Sequence, residues 1–223
     1  METFWGYVQK GGPVMWPLLA FSVLGLAVAI ERFFALKKAR VNVNEFLAKV
    51  RKALMVNRSL RDAVKICEQY QGPVASVMKA GLLKYGQPKE EIEKTIENAA
   101  LFEMGRLERG LSVLATTANI APLLGFLGTV TGMIGSFDAL ARVGLTNPTA
   151  VFAGVSEALI TTATGLIIAI PIQLLYNYFM TKINRFVRDI ETAANMLIET
   201  FGEMDRTGIS PDRAAEPPGP AKS

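Results

Sequence analysis

A chain of 223 residues has room for one or two domains, but half of its residues are hydrophobic, its mean hydropathy is +0.28 and its formal net charge is only +4. That is too apolar for an ordinary soluble domain, and the modest excess of base gathers beside apolar runs rather than among aromatics, which points to a membrane surface and away from nucleic acid. Cys67 is the only cysteine and histidine is absent, which excludes an intrachain disulfide, a cysteine zinc site and the commonest general base. No metal, no cofactor and no enzymatic activity are expected.

In chain order, residues 1–12 precede a first apolar run from about Pro13 to Ile30, closed by Glu31 and Arg32. At about 1.5 Å per residue this run just crosses a hydrocarbon core of roughly 30 Å. Glu2 and Lys10 ahead of it, with no small-residue cleavage site after it, favour an uncleaved span over a signal peptide. Trp5, Tyr7 and Trp16 read as interfacial anchors.

Residues 31–110 read as helices. Phe46, Leu47, Val50, Leu54, Leu60, Val64 and Cys67 recur at helical spacing, with Cys67 as a small filler. Gly72-Pro73 interrupts, Val74, Val77, Met78, Gly81 and Leu82 resume, and Gly86, Gln87 and Pro88 interrupt again. Pro88 suits a helix start, and Glu90, Glu91 and Glu93 suit the dipole of its first turns. No comparable turn signal follows, so the spacing predicts one helix from about Pro88 to Phe137, membranous over 111–137.

A loop is expected over 138–150, then a third span from about Val151 to Phe179. Both later runs exceed the ~20 residues needed to cross, which suggests tilt or continuation. Ile183, Phe186, Val187, Ile190, Ala194, Leu197, Ile198 and Phe201 keep helical spacing and extend the third span through 180–204. From 205 the composition turns to charge, Ala, Gly and Pro (Pro211, Pro217, Pro218, Pro220), and a disordered tail over 205–223 is expected.

Arg32, Lys37, Lys38, Arg40, Arg106, Arg109, Lys182, Arg185 and Arg188 all fall on one side of these spans, against Lys10 and Arg142 on the other. The positive-inside rule puts the amino terminus and the 138–150 loop outside, and the long 31–110 segment and carboxyl tail in the cytoplasm. The expected fold is an all-α membrane protein with three transmembrane helices, the second and third long and extended into the cytoplasm as a helical bundle.

Glu157 lies about 9 Å into the third span at helical rise. An ionisable group there is costly and reads first as functional, beside a partner or a water-filled cavity; an interfacial carboxylate near the outer surface is the alternative. Thr161 and Thr164 share its face. Gly154, Ala158, Thr162, Gly165 and Ala169 form a small-residue stripe; Gly125, Gly128, Gly132 and Gly135 form another on the second span, with Gly128 and Gly132 a GxxxG pair and Thr129 and Thr131 within it. Such stripes let helices approach closely, within one subunit or between subunits.

The two spans run antiparallel, so Thr129, about 12 Å inward from Phe137, and Thr162, about 16 Å inward from Val151, fall near one level. The hydroxyls of Thr129, Thr162 and Thr161 can bond within their own helices or, beside Glu157, line a polar pore or proton path. Pro122 and Pro171 are candidate kinks.

The stretch from Gly154 to Pro171 (GVSEALITTATGLIIAIP) resembles the third-span signature of the ExbB and TolQ proteins, within the ExbB/TolQ/MotA family. Pro122 to Phe137 (PLLGFLGTVTGMIGSF) resembles their second span, and Gly72 to Gly81 (GPVASVMKAG) a cytoplasmic segment. The resemblance runs in order from about Trp16 to Glu203. It implies a bacterial inner-membrane motor subunit, a homo-oligomer of five copies around a dimer of single-span partners resembling ExbD or TolR, with proton flow driving work on a periplasm-spanning or outer-membrane protein.

By position, Glu157 matches the family's intramembrane glutamate, Thr129 and Thr162 its pore-facing threonines, and the main proton-carrying aspartate belongs to the partner. Flagellar MotA proteins have four spans, which argues against that branch. A passive scaffold and a sodium-driven or gliding motor remain as alternatives. No span carries a catalytic dyad.

Overall fold

The computed structural model describes residues 4–38, 42–143 and 148–208. Among them every regular element is helical: α1 (Phe4–Lys10), α2 (Met15–Lys38), α3 (Val43–Met55), α4 (Leu60–Gln69), α5 (Pro73–Leu82), α6 (Lys89–Glu108), α7 (Leu111–Val143) and α8 (Pro148–Thr207). Three of these, α2, α7 and α8, contain segments long and apolar enough to cross a membrane. The 60 residues of α8 give about 90 Å of helix, roughly three times a hydrocarbon core, so most of its length must lie elsewhere. The expected continuation of the third span is therefore one unbroken helix, with Pro171 inside it.

The expected helix from Pro88 to Phe137 is two helices. α6 stops at Glu108, Arg109 takes an extended ψ of 128° and Gly110 turns to a φ of +84° before α7 begins at Leu111. Glycine adopts that left-handed conformation without steric cost. A Cβ at Gly110 would also stand 3.3 Å from Val28 of α2, a tight approach that glycine relieves. At its far end α7 runs on to Val143, and α8 starts at Pro148, so helix occupies part of the segment expected as the 138–150 loop. Of the tail expected as disordered over 205–223, α8 keeps Asp205 to Thr207 helical, and the part beyond Gly208 lies outside the described residues.

Contacts divide the chain into two units, residues 1–33 with 110–179 and residues 34–109 with 180–223. The second unit gathers α3 to α6 and the later part of α8 around one apolar core that includes Phe46, Leu54, Met78, Leu82, Ile96 and Leu197. Its helices start where local chemistry dictates. The Asn42 side chain accepts from Glu45 N at the start of α3, Ser59 Oγ accepts from Asp62 N at 3.2 Å, Pro73 opens α5 and Pro88 precedes α6. Cys67 is buried in α4, and that burial pushes its thiol up to about 12. A Cβ at Gly81 would meet Leu197 at 2.6 Å and Ile96 at 2.9 Å, so α5 sits against α6 and α8 with no room to spare.

In the first unit, α7 and the early part of α8 lie antiparallel, with α2 against both. Gly25 of α2 faces Ile172 of α8 and Thr117 of α7. The large side chains left exposed are apolar, among them Leu24 and Leu26 of α2, Phe126 and Ile134 of α7, and Leu166 and Ile167 of α8. Such a surface suits hydrocarbon. Trp5, Tyr7 and Trp16 are exposed as anchors would be, and the Trp5 and Trp16 rings meet edge to face at 6.1 Å.

Candidate functional site: the α7–α8 seam and Glu157

The seam exists because glycines let two backbones touch. An ideal Cβ at Gly132 would stand 2.6 Å from the Gly154 carbonyl oxygen and 3.0 Å from Ala158 N. One at Gly165 would stand 2.5 Å from the Ala121 carbonyl oxygen, and one at Gly125 would meet the Thr161 carbonyl oxygen and Thr162 Cα, each at 3.1 Å. At Gly128 it would overlap the Thr161 side chain. The four packing residues read from sequence, Gly128, Gly132, Ala158 and Gly165, thus all lie on contacts between α7 and α8 of the same chain.

Gly135 does not join them, since nothing stands within 4 Å of a Cβ there. At 100° per residue it has rotated off the contact line, and Ser136 takes the place one turn beyond Gly132. Ser136 is buried, and its hydroxyl lies 3.1 Å from the Gly132 carbonyl oxygen and 3.0 Å from that of Val151 on α8. Its signal was available as a small polar residue at i+4 from Gly132.

The hydroxyls divide into two kinds. Thr129 donates to Phe126 O at 2.6 Å, Thr164 to Ile160 O at 2.8 Å, and Thr161 to Ala158 O at 2.9 Å with Glu157 O at 3.1 Å, all within their own helices. Thr161 is fully buried. Thr162 differs, because its hydroxyl crosses the seam to Gly125 O at 3.1 Å. Gly125 lies one turn from Thr129, so Thr129 and Thr162 stand within about 6 Å of one level, as the antiparallel count requires.

Glu157 stands apart from that pair. It is half-buried, on the flank of α8 beside the α1–α2 link, and its carboxylate lies against Gly12. Pro122 and Pro171 both sit inside helices that run on past them. Neither Gly11 nor Gly12 was singled out from sequence, since a contact across the 145 positions from Gly12 to Glu157 leaves no local pattern. Among the described residues no three His, Cys, Asp or Glu side chains gather as a metal site.

Three apolar helices, a carboxylate within one of them and a glycine seam carrying hydroxyls define a multi-pass membrane protein with polar groups at span depth. Residues 69–192 match the profile of the MotA/TolQ/ExbB proton channel family. An ExbB homolog of Methanothermobacter thermautotrophicus is 31% identical over 84% of this chain and 67% of its own length. An ExbB-like biopolymer transport protein of Synechocystis is 33% identical over 77% of this chain and 82% of its own. The biopolymer transport protein ExbB of Salmonella typhimurium is 29% identical over 96% and 94%. The chain belongs to the MotA/TolQ/ExbB proton channel family, and these relatives carry the ExbB name.

Proposed function

We propose that this chain is the multi-copy subunit of an inner-membrane motor that couples proton entry to mechanical work by a single-span partner resembling ExbD or TolR. The observation that carries the reading is the hydroxyl-bearing seam, where Thr161 is buried and Thr162 reaches across to Gly125 in a chain of the proton channel family. An ionisable group and hydroxyls at span depth are costly without a use, and hydroxyls that both donate and accept can orient water along a proton path.

In this reading five copies enclose a partner dimer, the amino terminus and the segment 138–150 face the periplasm, and the carboxyl end faces the cytoplasm. The partner's aspartate carries the main proton, Glu157 supports the path electrostatically, and Thr129 and Thr162 order its water once the seam opens towards the partner. The chain performs no covalent chemistry of its own. The work is delivered to an outer-membrane or periplasm-spanning protein, for energised outer-membrane transport or an envelope function.

The test is partner-dependent activity measured beside oligomer mass. Glu157→Ala, and Thr129→Val together with Thr162→Val, are expected to abolish energised work while the oligomer persists. Full activity in both variants would overturn the proton-path roles and leave a passive scaffold. Activity that follows a sodium gradient and ignores the pH gradient would replace the proton with sodium.

A further inference from the structure

We infer that Gly12 is a positioning residue for Glu157, and that the Gly11-Gly12 turn, just ahead of the first span, forms the seat on which its carboxylate rests. This rests on the reading of Glu157 as part of the proton path. The turn is held from both sides: Gly11 N donates to Tyr7 O at 3.0 Å, Met15 N donates to Gly12 O at 3.2 Å, and the Trp5 and Trp16 rings meet across it.

Two independent features exclude a side chain at position 12. Its φ of +67° is one that residues other than glycine rarely adopt, and a Cβ would overlap Glu157 Oε1 and stand 2.8 Å from Cδ. Gly11 meets different groups, since its Cβ would strike Met15 and stand 3.3 Å from Ile160, one helical turn along α8 from Glu157. The turn therefore touches α8 at two successive points, and only the contact at Gly12 is with the carboxylate.

The atoms displaced by a methyl group at position 12 are the far end of a flexible side chain. Gly12→Ala is thus expected to move the carboxylate rather than separate the helices. A shift of about 1 Å in a positioned group can cost on the order of a hundredfold in rate. Glu157→Asp withdraws the carboxylate by one methylene and makes room for the added methyl, so the two changes compensate. Strain at Gly12 unrelated to Glu157 would not be relieved in this way.

The test uses inverted membrane vesicles from cells that carry the full chain with its own single-span partner, following collapse of an imposed pH gradient with an internal dye and oligomer size by native gel. The variants are Gly12→Ala, Glu157→Asp, the two combined, Glu157→Ala, and Gly11→Ala as a packing control. Flux lowered at least about tenfold by Gly12→Ala, raised again when Glu157→Asp is added, and not raised when Glu157→Asp is added to Gly11→Ala, supports the seat. Wild-type flux in Gly12→Ala, with Glu157→Ala inactive, overturns the seat and leaves the proton path standing. Lost flux that Glu157→Asp does not raise also overturns it, reducing Gly12 to a backbone requirement. Wild-type vesicles that match Glu157→Ala overturn the proton path and the seat together.

Discussion

Replacing Gly132 with alanine tests whether the α7–α8 seam is held by backbone contact. The added Cβ would stand 2.6 Å from the Gly154 carbonyl oxygen, 3.0 Å from Ala158 N and 3.2 Å from Ala158 Cβ. Two of the three are backbone atoms, so no rotamer change relieves the overlap. Even a weak carbon–oxygen contact sits at about 3.3–3.6 Å, so the helices must part locally by about 0.7 Å. A gap of that order forfeits about a quarter to a half of each dispersion contact it opens.

The bond from Thr162 to Gly125 O, at 3.1 Å and two turns along α7, lengthens as the opening spreads. Cross-helix bonds of this kind contribute about 0.6 kcal/mol in a membrane. Overpacking and the weakened bond together give an expected loss of about 1–3 kcal/mol. Gly135→Ala is the control, because open space surrounds that position. Alanine is favoured over glycine in a helix by about 0.8–1.0 kcal/mol in water, so this variant is expected to be neutral or more stable. Unfolding in mixed detergent and dodecyl sulfate, followed by circular dichroism, measures both. Equal stability of the two variants would refute a seam held by backbone contact at Gly132.

The buried thiol gives a second expectation. With Cys67 pushed up to about 12 from an ordinary value of 9.0, native protein at pH 8 should alkylate about two to three orders of magnitude more slowly than unfolded protein; equal rates would refute the burial. Because the native value is the higher one, its contribution to stability is present below pH 9 and is lost as pH rises towards 12, so unfolding midpoints of wild type and Cys67→Ser should converge over that window. Orientation is checked by single cysteines in a Cys67→Ser background: one at Thr149 should react with an impermeant maleimide on intact cells, and one at Lys89 only after permeabilisation. The reverse pattern would refute the assigned topology.

The apolar runs and the small-residue stripes were legible because they depend on local sequence alone. Each span is a run long enough to cross, and α8 continues to Thr207 because no helix-breaking pair interrupts it after Pro171. The Arg109-Gly110 break was not legible. A lone glycine is tolerated in a helix, and neither its φ of +84° nor its closeness to Val28, about eighty positions earlier in the chain, leaves a local pattern. The hydroxyls were legible only as a pair of alternatives. Every helical threonine has a carbonyl of its own helix within reach, and only the glycine opposite Thr162 brings a neighbouring carbonyl near enough to compete.

The packing of the seam and the chemistry proposed for it draw on the same residues, and that constrains how the site can change. Close approach at Gly125, Gly132 and Gly165 puts backbone oxygens of one helix against the other, at Thr161, Gly154 and Ala121. Those oxygens already serve their own helices, yet carbonyls have a second lone pair, and at Gly125 the Thr162 hydroxyl uses it. A larger residue at Gly125 would part the helices and release that hydroxyl, exchanging an interhelical bond for one within α8. An open seam, with the Thr162 hydroxyl bonded within α8, would keep a hydrogen-bond content similar to that of the closed one across Thr162 and Gly125. Thr129 and Thr161 already hold the internal pattern. In the proposed motor, a partner helix that took up the Thr162 hydroxyl, or brought water to it, would shift the balance without leaving any polar group unpaired in the membrane, as coupling of ion passage to movement would require.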